Sequence, residues 1–274
     1  MAASSLIKIS KTESIVEEQL SRLTTSSEAT TTTSSSLCNR LSDLKDLHES
    51  FNFLLQFQLQ TIQALKTKKT LEQVLDGSLG LLDSCSTTRD ILSMIKQTLQ
   101  DLQSSLRRKR GFDSSGLENE VNLYMLSKKK LLAKMITKCL KNVMMTKAYY
   151  KNNCHDLFSL VEEATCEVFR SLLAFISPPK TRSLSSRSLA LKLFRSRKVA
   201  CEGYIYATQL EKIDATLMIL KANNKDIKIV QVKQVLKELE SLESTIQELD
   251  NNLECIFRCL LKTRVSLLNL YTHE

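Results

Sequence analysis

The sequence predicts an all-α protein, an elongated bundle of long helices ending in a coiled-coil-like C-terminal helix. Three observations predict it. The chain has 5 glycines and 2 prolines in 274 residues, where ordinary usage would give roughly 19 and 14. Sheets need both residues at hairpins and bulges, and nucleotide-binding α/β folds need glycine in phosphate loops. Leucine and its relatives recur instead at three- and four-residue steps, the period of a helix buried on one side. Finally, Val235, Leu239, Leu242, Ile246, Leu249, Leu253, Ile256 and Leu260 alternate steps of four and three, which is the a/d seam of a heptad repeat.

The elements follow in order. Residues 12–23 place Ile15, Val16, Leu20 and Leu23 on one side of a short helix. Residues 24–36 are Ser and Thr except at Glu28 and Ala29, and their hydroxyls compete with helical hydrogen bonds. The chain thus divides into an N-terminal part, 1–36, ending in a flexible linker, and a helical body, 37–274. A long helix over about 37–66 carries Leu41, Leu44, Leu47, Phe51, Leu54, Leu55, Ile62 and Leu65. Thr70 and Gln73 have the spacing of a capping box and open a second helix to about 108. Its stripe includes Leu71, Val74, Leu79, Leu82, Ile91, Ile95, Leu99 and Leu106, with Gly77 and Gly80 inside it. Those glycines allow a close helix approach or a bend.

Arg107, Arg108, Lys109 and Arg110 close that helix against the negative end of its dipole, and Gly111 follows as a cap. Ser115 and Glu118 open a third helix over roughly 117–150, and a fourth spans about 153–176 with Leu157, Leu160, Val161, Val168, Leu172 and Phe175. Pro178 and Pro179 end it. A basic, Ser-rich connector covers 177–198, a fifth helix about 199–221, and the heptad helix about 226–270. That last seam suits either the spine of an intramolecular bundle or a homodimeric coiled coil. The bundle is preferred, because several other helices also need a surface to bury against.

The formal net charge of +9 is concentrated in the middle of the chain. Within 124–151, Lys128, Lys129, Lys130 and Lys134 begin a lysine series that continues at helical spacing through Lys138 and Lys141. The connector 177–198 adds Arg182, Arg187, Arg195, Arg197 and Lys198 and contains no acid. Two anionic partners fit such segments: a membrane surface through lipid headgroups, or nucleic acid through phosphates. A solvated helix face and an ordinary basic loop are the preferred explanation, ahead of either partner. Nucleic acid is the weakest of these, because no helix-turn-helix spacing, zinc finger or aromatic stacking set accompanies the cations. Ser183, Ser185 and Ser188 stand beside arginines, where a basophilic kinase would add close to two negative charges per site.

Enzymatic chemistry is not predicted. The nucleophile-elbow, phosphate-loop, dinucleotide and HExxH patterns are missing, and the three histidines, His48, His155 and His273, lie in different segments. His48 has Asp46 and Glu49 near it in sequence, but such close neighbours do not face one another on a helix, so it reads as a surface or interface residue. Cys255 and Cys259 are one helical turn apart, yet no second Cys or His pair completes a tetrahedral zinc site. No catalytic residue, metal or cofactor is therefore assigned. The 8 cysteines are scattered, which suggests reduced, mostly buried thiols of an intracellular protein. The N-terminal residues lack the apolar core of a secretory signal, and no apolar run is long enough to span a bilayer. A cytoplasmic location, with a membrane-peripheral one as the variant, is the expectation.

Longer motifs point further. Residues 71–111, LEQVLDGSLGLLDSCSTTRDILSMIKQTLQDLQSSLRRKRG, resemble the signature region of a plant-specific helical family related to the BYPASS proteins. Further matches are LCNRLSDLKDLHESFNFLLQ before it, Glu118–Val121 with Ser127–Lys130, Leu172–Ser177, and the ending LESTIQELDNNLECIFRCLLKTRVSLLNL. Members commonly begin with a basic Ser/Pro-rich segment that is much reduced here, and often carry a proline near Gln58 and Leu59. The resemblance implies a role in root and shoot development and no reaction, ligand or catalytic residue. The functional expectation is a non-enzymatic interaction or regulatory protein that binds protein partners through helix faces. The alternative is a peripheral protein of anionic membranes.

Overall fold

The computed structural model describes residues 2–25, 33–65, 68–108, 114–127, 133–153, 157–177, 209–222 and 229–272. Its helices are α1 (Ala2–Thr25), α2 (Ser34–Leu65), α3 (Lys68–Arg108), α4 (Ser114–Ser127), α5 (Ala133–Asn153), α6 (Leu157–Ile176), α7 (Gln209–Ala222) and α8 (Ile229–Thr272). No strand occurs among the described residues, so the all-α class is as the glycine and proline scarcity requires. The heptad segment lies within α8.

Local chemistry explains several helix ends. Thr33 caps α2: its Oγ1 accepts the Ser36 amide at 3.1 Å and its carbonyl accepts the Leu37 amide at 3.0 Å. Amides left open by the first turn are thereby satisfied. The Ser/Thr stretch is consequently divided differently from the expected linker. Thr24 and Thr25 end α1 with their hydroxyls donating back to the Leu20, Ser21 and Arg22 carbonyls. Ser34 and its neighbours belong to α2, and 26–32 lie outside the described residues. With no proline near Gln58, α2 continues to Leu65.

Other boundaries are corrected. Helix α3 begins at Lys68, so Thr70 lies inside it and the Thr70–Gln73 pair is not its cap. Two lysines with good helix propensity precede that pair and extend the helix. Of the third expected helix α4 and α5 are described, with 128–132 between them outside the described residues, and of the fifth the described part is α7 from Gln209. Residues 109–113, 128–132 and 178–208, which hold Gly111 and nearly all of the connector, lie outside the described residues.

The chain forms two compact units, and α3, α5, α6 and α8 contribute residues to both. The first comprises Met1–Asp90, Thr137–Ala174 and Leu249–Glu274. Here α1 packs on α2 through Val16, Leu20 and Leu23. Helix α2 runs antiparallel to α6: Arg40 Nη1 donates to Ser171 Oγ at 2.9 Å, His48 meets Thr165, and the Phe51 and Phe158 rings meet edge to face at 5.3 Å. Helix α3 runs antiparallel to both α5 and α8. Cys139 Sγ lies 3.6 Å from the Ser84 carbonyl and from Thr88 Oγ1 on the α5 side. On the α8 side, Arg264 Nη1 donates to Ser78 Oγ at 3.0 Å, Cys85 Sγ to the Leu253 carbonyl at 3.6 Å, and Arg89 Nε to Asp250 at 3.1 Å.

The second unit comprises Ile91–Ile136 and Phe175–Glu248. Ile91, Leu92, Ile95, Leu99 and Leu106 of α3 are buried, as are Val235, Leu239, Leu242 and Ile246 of α8. Polar pairs run along this α3–α8 contact as well: Lys96 to Gln247, Gln100 and Gln103 to Glu243, and Arg107 to Glu240. Helices α4 and α7 form a second antiparallel pair, in which Lys221 Nζ donates to Asn122 at 2.7 Å and lies 3.4 Å from Glu118.

Not every apolar residue on the expected stripes is covered. Ile15, Leu79 and Leu160 are exposed, whereas Leu81, Cys85 and Leu92, which the stripe on α3 omitted, are buried. Gly80 explains part of the α3–α5 geometry. A Cβ there would lie 3.0 Å from Thr146 Oγ1, so the glycine permits the close approach. Gly80→Val should cost about 1–3 kcal/mol, read as a lower urea midpoint at unchanged slope; an unchanged midpoint would show that Thr146 yields. Leu249→Ala should cost about 2–5 kcal/mol. The Leu242→Asp/Leu249→Asp chain should lose its helical circular dichroism, and a folded, helical double variant would contradict the burial of this seam.

Candidate functional site

The eight seam residues, Val235, Leu239, Leu242, Ile246, Leu249, Leu253, Ile256 and Leu260, are at most 3% exposed in the single chain. The chain's own helices occupy the seam, so it is not available to a second copy or a partner helix in this fold. The competition between helices for a surface decides this: α3 supplies an apolar stripe of matching length and flanking polar groups.

Past the seam, α8 presents a different face. The seam's own register continues through the buried Thr263 and Leu267, whereas Leu261, Val265 and Leu268, spaced four and three apart on a neighbouring face, are 41%, 55% and 39% exposed. Arg258 and Lys262 are exposed beside them. Sequence reading missed this stripe because the neighbouring heptad was the stronger signal.

Of the cations assigned to an anionic surface, Lys134 is described, and it is exposed on α5. Lys128, Lys129, Lys130, Arg182, Arg187, Arg195, Arg197 and Lys198 lie outside the described residues. Helix α5 is amphipathic. Ile136, Cys139 and Val143 are buried, while Lys134, Lys138, Lys141, Met144 and Met145 are exposed.

The interior holds polar groups whose chemistry is restrained. His48, expected at the surface, is 2% exposed. It stands in register with Leu44, Phe51 and Leu55, a signal the sequence already carried. Thr165 Oγ1 donates to the Val161 carbonyl at 2.7 Å, so it receives its 2.9 Å hydrogen bond from His48 Nε2–H. His48 is thus the Nε2–H tautomer, and its Nδ1 has no hydrogen-bond partner. Burial lowers its pKa from 6.5 to about 4. Nearby, Asn52 Nδ2 donates to the Cys259 carbonyl at 3.0 Å, and its Oδ1 accepts from Thr263 at 2.7 Å. Arg40 is lowered by desolvation, against the raising influence of Glu167. Tyr124 is pushed well up by burial and by Asp214, which accepts its hydroxyl at 3.4 Å.

The cysteines behave likewise. Cys38, Cys85, Cys139, Cys166 and Cys259 are buried and Cys255 is exposed. Burial pushes Cys85 up to about 12 and raises Cys139 and Cys259. A thiol held protonated is a poor nucleophile and a poor metal ligand. Among the described residues, no group of three His, Cys, Asp or Glu side chains could hold a metal ion. Nor is any described helix long and apolar enough to cross a membrane.

The His48 arrangement has a pH signature. The folded chain resists a proton that the unfolded chain binds below 6.5, so stability present at neutral pH falls as pH drops toward about 4. Between about pH 7.5 and about pH 5 this group alone should remove roughly 2 kcal/mol. His48→Gln should flatten that part of the urea-denaturation profile, and equal acid sensitivity in the variant would disprove the assignment.

With this geometry in place, comparison with known proteins adds one match. A protein-family model described as Protein BPS1 matches residues 40–270. No curated protein and no solved structure matches the chain.

Proposed function

The chain belongs to the BPS1 family, a BYPASS-related plant family, and from that premise we propose a non-catalytic interaction protein of root and shoot development. It binds protein partners through an exposed helix face and acts inside the cell, in the cytoplasm. The observation that carries this reading is the α8 stripe of Leu261, Val265 and Leu268, apolar at helical spacing and left partly exposed among the described residues. Lys262 beside it favours an amphipathic partner helix with an acidic flank, Arg258 being paired with Glu254 of its own helix at 2.7 Å. The buried thiols Cys85, Cys139 and Cys259 suit a reducing compartment.

Proximity labelling in plant root cells tests the reading. A fusion of the wild-type chain should mark a set of proteins that the Leu261→Ser/Val265→Ser/Leu268→Ser variant loses, while the variant keeps its helical circular dichroism and thermal midpoint. Identical labelling by both chains would overturn the assignment of this face. Concentration-dependent dimers of the wild type, abolished in the variant, would replace the foreign helix with a second copy.

A further inference from the structure

We propose that the outer face of α5 is a docking surface for anionic membranes. This goes beyond the protein-partner reading and concerns a different helix. Residues 133–153 contain five lysines and no acidic residue. Lys134, Lys138, Lys141 and Met145 succeed one another at steps of four, three and four, which places them on one helical face. Ile136, Cys139 and Val143 hold the opposite face in the interior. The lysine face is therefore fixed outward by packing.

The methionines choose between anionic partners. Met144 and Met145 are 60% and 64% exposed, among the most exposed large apolar side chains described. Nucleic acid offers such side chains little in a phosphate contact, where cations and hydrogen-bond donors do the binding. A bilayer offers both layers of the match: headgroup phosphates for the ammonium groups, and the boundary of the acyl chains for unbranched thioethers. Lysine heads reach the headgroups on long apolar stems while the shorter methionines enter beneath them. The cations draw the helix to the surface, and the two methionines give binding that outlasts added salt.

Co-sedimentation of the full chain with vesicles tests this. Vesicles of phosphatidylcholine and phosphatidylserine in equal parts should pellet the protein at low salt, and pure phosphatidylcholine should not. Each lysine near an anionic surface contributes enough that Lys134→Glu/Lys138→Glu/Lys141→Glu should weaken partitioning about 100-fold. Lys233→Glu/Lys237→Glu on α8, joined by Lys212→Glu on α7 for the same change in net charge, should weaken it far less. Met144→Ser/Met145→Ser should still bind at low salt but release near physiological ionic strength, where the Debye length is about 8 Å. Helical circular dichroism is required of each variant, and Lys→Gln at the same three positions replaces any that fails it. Equal binding to pure phosphatidylcholine would overturn the proposal. So would equal loss in the control on α7 and α8, an unaffected α5 variant, or binding to a single-stranded oligonucleotide in preference to vesicles.

Discussion

Burial of the α8 seam is the constraint on which the other helices depend. Its eight residues feed the cores of both units, and each fully buried aliphatic side chain contributes about 1.5–3 kcal/mol. The polar pairs along the flanks of α8 are weaker. Arg107 and Glu240 are about half exposed, and Arg89 with Asp250 and Glu254 about one-third. Pairs so open to solvent contribute about 0–1 kcal/mol. The seam therefore supplies the association, while the pairs fix which turn of α3 meets which turn of α8. With few glycines and prolines to interrupt them, long helices carry this arrangement over many turns.

Buried polar groups refine the register further. Asn52 both donates to the Cys259 carbonyl and accepts from Thr263, so α2 cannot slide along α8 without stranding an amide inside the first unit. His48 with Thr165 and Arg40 with Ser171 make the same demand on α2 and α6. A leucine in each place would bury more readily but would fit several offsets equally well. Leaving a buried polar group unpaired costs about 1–3 kcal/mol, so each contact penalises a shifted packing. The interior is specific as a result, and its histidine and thiols are held in their neutral forms.

Much of this was legible in the residues. The heptad in α8 survives intact, because a helix buried along its length must keep its apolar residues in register. Helix ends were less legible. The Thr70–Gln73 spacing lies inside α3, while Thr33, within a run of similar hydroxyl residues, is the cap that forms. Ile15, Leu79 and Leu160 show a further limit. Periodicity states which face of a helix is apolar, but what covers each position is set by neighbours distant in sequence. His48 is the converse case, a polar residue on an apolar stripe that finds its partner more than a hundred residues away.

The same physical constraints are the ground for the two proposals made on the outer faces. Acid, base and nucleophilic chemistry needs side chains near their working protonation state, and the buried His48 and Cys85 are driven away from it. Exposed apolar side chains carry no such restraint and are costly to leave in water. Among the described residues, α8 leaves Leu261, Val265 and Leu268 partly exposed beside Arg258 and Lys262, and α5 leaves Met144 and Met145 exposed beside Lys138 and Lys141. Both faces combine an apolar surface with a cationic margin, yet their side chains differ. The branched residues on α8 repeat at seam spacing and can interlock with a complementary helix. The adjacent, flexible methionines on α5 suit a fluid boundary that presents no fixed holes. Side-chain shape, more than charge, is the ground on which the two faces are proposed for different partners.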